Sequence, residues 1–180
     1  MLTMHPKKFA LWLFMVSVVM LFIALTSAYI VKQSDGVWLD IQLPVLFDYT
    51  TALILLSSVS IHWAYVSARN NEIKKIRLAL MVTSVLGLSF LVGQYMAWGD
   101  LVDQGVFFVG NPAGSFLYVL TGLHGLHLVS GVIFLLIVVK SAFTYKVHSK
   151  SMVQIEMCAT YWHFLGGLWL YLYIFLALNH

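Results

Sequence analysis

The sequence predicts an all-α fold, a polytopic bundle of five transmembrane helices forming a single membrane domain over residues 1–180. Three observations carry that prediction. Of 180 residues, 61% are hydrophobic and only 9% charged, far outside the range of water-soluble domains. Five apolar runs reach the roughly 20 residues that cross a hydrocarbon core of about 30 Å at about 1.5 Å per residue. The basic residues also cluster on one side of those runs, and short strands of alternating polarity, which a spanning barrel requires, are absent.

The first helix is predicted over residues 9–31 and contains no Asp, Glu, Lys or Arg until its end. Its apolar stretch exceeds the 7 to 15 residues typical of a secretory signal, and no small-x-small cleavage site follows, so it reads as a permanent anchor. The second helix is predicted over 49–68, the third over 78–99, the fourth over 113–139 and the fifth over 157–178. Pro6, Pro44 and Pro112 lie just outside or at the start of a helix, where a missing amide hydrogen costs least. No inverted repeat or matched pair of broken helices suggests a transporter.

Charge fixes the expected orientation. Lys7 and Lys8 precede the first helix, Arg69, Lys74, Lys75 and Arg77 fill the second link, and Lys140, Lys146 and Lys150 fill the fourth. The opposite side receives Lys32 with Asp35, Asp40, Asp48, Asp100 and Asp103. By the positive-inside rule the N-terminus is cytoplasmic and the C-terminus lies across the membrane. The net charge of +3 therefore reflects orientation and anionic headgroups; nucleic-acid binding would need a solvent-facing basic surface. The single cysteine, Cys158, permits neither an intrachain disulfide nor a cysteine-based metal cluster and is read as packing at a helix start.

The candidate functional residues are the polar side chains inside these runs: His62, Gln94, His124, His127, Glu156 and His163. Such groups are costly in lipid and are expected to face protein or trapped water. His124, His127 and Gly131 fall on one stripe of the fourth helix. Glu156, Thr160, His163 and Gly167 fall on one stripe of the fifth, with Gly166 and Gly167 allowing close backbone approach. The two stripes can meet, although His127 lies about 20 Å from Lys140 and His163 about 10 Å from Glu156 along their helices, so the histidines need not be level. A metal or heme site would need ligands converging from several helices, and one HxxH pair is weak evidence for it. Interhelical hydrogen bonding, lipid binding and proton traffic are the competing readings. Glu156 reads as a boundary carboxylate or a buried acid, and the six tryptophans mainly as interfacial anchors.

The segment Ser115-Phe-Leu-Tyr-Val-Leu-Thr-Gly-Leu-His124-Gly-Leu-His127, followed by Val129-Ser130-Gly131, resembles the signature of cytochrome c oxidase subunit III. Tyr161-Trp162-His163-Phe164 after Glu156, then Trp169, is similar to a second block of that family, and Gln94 and Trp63-Ala64 fit its pattern. The resemblance implies the shorter, five-helix form of the subunit. It implies a non-catalytic partner of oxidase subunits I and II, with heme and copper on those partners and no metal or catalytic residue on this chain. It also implies structural phospholipid in a cleft, support of proton uptake and protection of subunit I, within a bacterial cytoplasmic membrane. His124, His127, Glu156, His163, Trp162 and Arg77 are the residues carried forward as a lipid-binding or structural network. Three departures stand out: Val18 replaces the family's frequent glutamate in Ser17-Val18-Val19-Met20, Tyr65-Val66 replace a His-His pair, and Gly166 replaces an aspartate. The alternatives are an independent cytochrome b-like electron carrier and a small membrane transporter.

Overall fold

The structure, a computed structural model, describes residues 6–34, 36, 38–39, 41–70, 72–144 and 149–179, the side chains of 149–152 excepted. Asp35, Asp40, Lys146 and the Lys150 side chain, used above to assign orientation, lie outside the described residues. Five helices follow in order: α1 Pro6–Gln33, α2 Leu46–Arg69, α3 Ile73–Asp103, α4 Pro112–Phe143 and α5 Ser149–Leu178. All five contain a stretch long and apolar enough to cross a membrane.

Every helix outruns its apolar segment. Hydropathy marks the part of a helix that lies in hydrocarbon, whereas backbone hydrogen bonding continues into the headgroup region. Hence Lys74, Lys75 and Arg77 belong to the opening turns of α3 and not to a link, and α5 begins about two turns before the expected residue 157. Glu156 and Cys158 therefore sit within α5, and Cys158 is buried. The start of α4 has a clear local cause: the Asn111 side chain accepts a hydrogen bond from the Ala113 amide at 2.9 Å, and Pro112 occupies the first helical position.

α2 and α3 form the closest pair, joined by a tight link. α3 packs on α4, α4 on α5, and α5 back on α2, so these four helices close into a ring around a common core. α1 lies outside the ring against α4 and α5, without a packing contact to α2 or α3 among the described residues. Close approach within the ring depends on missing side chains. A methyl group at Gly87 of α3 would fall 2.6 Å from the Trp162 ring, and one at Gly131 of α4 would fall 2.7 Å from Leu165. Lipid tails are as apolar as leucine, so interdigitation of this kind, together with buried hydrogen bonds, holds such a bundle.

Candidate functional site

The centre of the ring is polar where α2 faces its neighbours. Trp169 of α5 donates its indole N–H to Thr51 Oγ1 at 2.9 Å, and Trp162 donates to Ser57 Oγ at 2.9 Å. Gln94 of α3 donates to Thr50 Oγ1 at 3.0 Å, and Ser60 donates to the Ala79 carbonyl at 3.0 Å. Thr50 and Thr51 donate back to the Phe47 carbonyl, and Ser57 to that of Ile54. Each of these three hydroxyls thus accepts from another helix while donating within its own, which satisfies the hydroxyls in a medium that offers no water, while the buried Gln94 Oε1 has no hydrogen-bond partner among the described residues. The indoles of Trp162 and Trp169 are almost wholly buried, so these two tryptophans are core clamps and not the interfacial anchors expected of them. Trp98 likewise turns inward to donate to Thr121 at 3.2 Å.

His124 belongs to this core. It is fully buried, with its ring 5.2 Å from that of Trp169 and 6.1 Å from that of Phe90. His127, three residues on, faces elsewhere. Its ring lies against Phe14 and Phe22 of α1 at 6.2 and 5.9 Å, and its Nδ1 meets the Leu123 carbonyl at 2.7 Å. The angular offset of three helical residues, about 60°, is enough to separate the two because α4 is flanked by α3, α5 and α1. Gly131 meets Leu165 and Tyr161 of α5, and Ser130 shares a 2.8 Å hydrogen bond with the Tyr161 hydroxyl.

The α5 stripe also separates by partner. Glu156 pairs with Lys8 of α1 at 2.7 Å. His163 turns to the outer surface, where its ring lies 6.0 Å from that of His62 on α2, both side chains being exposed. Gly167 makes no close approach; with Phe164, Leu168 and Tyr171 it faces Val19, Phe22 and Ile23 of α1 across an apolar groove of about 370 Å³. Arg77 donates Nε–H to the Ala142 carbonyl at 3.1 Å and lies 5.0 Å over the Phe143 ring, which ties α3 to the C-terminal end of α4.

The polar stripes of α4 and α5 therefore do not meet through His127 and His163: of the six residues named together, His124 and Trp162 lie in the core, His127 against α1, Glu156 on Lys8, His163 on the outer face and Arg77 at the end of α4. The intramembrane histidines sit in three environments: the core, the α1 seam and the outer face. Among the described residues no three His, Cys, Asp or Glu side chains approach one another as metal ligands. The hydroxyls of α2 were missed by sequence reasoning. Their signal was present, since Thr50, Ser57, Ser60 and Ser67 recur at helical spacing on one face.

Comparison with known proteins places the chain firmly. The family model for cytochrome c oxidase subunit III matches residues 2–178. The chain is similar to cytochrome c oxidase subunit 3 of Osphranter robustus, 33% identical over 137 residues that cover 74% of this chain and 49% of the relative. The proteins of the same name from Tachyglossus aculeatus aculeatus and Homo sapiens are each 34% identical over the same coverage. The chain spans about half the length of these curated relatives.

Proposed function

Because the chain belongs to the cytochrome c oxidase subunit III family, we propose that it acts as the non-catalytic third subunit of a heme-copper terminal oxidase, bracing partner subunits I and II. The family match along residues 2–178 is the observation that carries this reading. Heme, copper and oxygen chemistry reside on the partners. The complex resides in a bacterial cytoplasmic membrane, with the N-terminus of this chain cytoplasmic, as the basic clusters favour.

The chain also holds structural phospholipid and supports proton uptake by its partners. The α1–α5 groove supports the lipid role: it is apolar, opens to the outside of the bundle and has about 370 Å³ of room beside Gly167. Glu156 and Lys8, at the end of that seam toward the basic clusters, offer both charges of a zwitterionic headgroup a partner. A proton role cannot reside at Val18, so any support of uptake acts through packing against the partner.

The test is affinity purification of the tagged chain from its native membrane in mild detergent, with partner identification and optical spectra before and after the partners are stripped. Heme absorbance that leaves with the partners is the expected result. Heme retained by this chain alone would make it an independent cytochrome and overturn the proposal, as would purification without any oxidase subunit.

A further inference from the structure

His62 and His163 are placed where a membrane protein alone gains nothing from them. Their rings approach to 6.0 Å on the outer surface of the ring, and neither imidazole has a hydrogen-bond partner among the described residues. Both lie about 10 Å inside the charged boundary, His62 by helical rise from Arg69 and His163 from Glu156 with its Lys8 partner. The two histidines are therefore level, on adjacent helices, at a depth where lipid tails supply neither donor nor acceptor. Around them Val59 and Val66 are apolar and exposed. The outer face of α3 differs: Val85, Leu88, Val92 and Met96 are exposed there beside the hydroxyls of Ser89 and Tyr95, with no imidazole, carboxyl or carboxamide among them.

We propose that the α2–α5 face bearing His62 and His163 is the docking surface for a transmembrane helix of a partner subunit, one that carries a carboxyl or carboxamide side chain at the depth of the two imidazoles. A neutral imidazole has one N–H and one bare nitrogen, so the pair offers a donor from one ring and an acceptor from the other. A protonated carboxyl or a carboxamide presents the complementary donor and acceptor on a single planar group. A hydroxyl would have to donate and accept through one oxygen, whereas rings 6.0 Å apart suit a group that spreads its donor and acceptor over two atoms, and a phospholipid headgroup would have to sink about 10 Å below its own boundary to reach the site. The inference rests on the reading of this chain as a subunit, and adds which face meets the partner.

A photo-crosslinking residue introduced at Val59, and separately at Val85 as the control face, tests this in the full chain within its native membrane. Crosslinking of Val59, and not Val85, to a membrane-embedded oxidase subunit is the expected result, with the adduct mapping to a helix that contains the carboxyl or carboxamide. The double variant His62→Leu/His163→Leu is expected to lower recovery of that adduct roughly tenfold, the scale of two lost intramembrane hydrogen bonds. The same variant assayed for tagged-chain yield and helical content shows whether the chain itself still folds. Adducts from Val85 alone would overturn the docking face while the subunit reading stands. Adducts from Val59 to lipid alone, with oxidase subunits still co-purifying, would do the same. If no oxidase subunit co-purifies at all, the subunit reading falls and this inference falls with it.

Discussion

The ring of α2 to α5 and the outlying α1 are held by different means. Within the ring, indole and carboxamide donors from α3 and α5 insert into hydroxyls of α2, and glycines let rings and backbones touch. α1 is attached by an apolar seam, by Thr26 to the Tyr171 hydroxyl at 2.8 Å, by Tyr29 to the Asn179 carbonyl at 2.9 Å, and by the Lys8–Glu156 pair. By hydropathy α1 is the most apolar of the five helices and also the least buried, while α5 is among the least apolar and the most buried. In lipid, burial is signalled by small and hydrogen-bonding residues and not by hydrophobicity, the reverse of the rule in water.

The strongest way to break this contrast is to remove a ring clamp. Trp162 fills the core between α2, α3 and α4, touching Gly87, Gly131 and Ser57. Trp162→Ala is expected to cost about 3 to 5 kcal/mol, through an unfilled cavity and the lost bond to Ser57. Thermal unfolding of the purified complex in mild detergent is the measurement. A midpoint unchanged from the wild type would show that the ring does not depend on its indoles.

A finer test separates hydrogen bonding from bulk. In a double-mutant cycle of Trp169→Phe and Thr51→Val, the coupling is expected at about 0.6 to 1.7 kcal/mol, from the average to the maximum of interhelical bonds in a membrane protein. Additive losses in the cycle would mean that the 2.9 Å contact contributes only packing.

These residues also mark how far the sequence was legible. The fold class, the five spans and the family could be read directly, because hydropathy and the blocks around His124 and His163 are local signals. Where side chains pointed could not. His124 and His127 share a stripe on a helical wheel, yet the three neighbours of α4 divide that stripe between the core and α1. Trp162 and Trp169 looked like interfacial anchors because tryptophan is common there, and only the hydroxyls opposite them, on a helix more than a hundred residues away in sequence, place them inside. Gly167 looked like a contact and instead opens a groove, since α1 stands off from it.

The smallest expected effect concerns α1. Lys8 and Glu156 are 28% and 42% exposed at the side chain, so solvent screening limits their pair to about 0.5 kcal/mol or less. Lys8→Gln is therefore expected to leave the global unfolding midpoint almost unchanged. It should instead raise amide exchange in the first turns of α1, where the pair pins the helix to α5, and leave exchange in α2 and α3 as it was. The reversed pair, Lys8→Glu with Glu156→Lys, is expected to restore the slow exchange, whereas Lys8→Glu alone sets two carboxylates together and raises exchange further. Equal acceleration in α1 and α2 would dissolve the contrast, because it would mean that the ring and its outlying helix open as one unit.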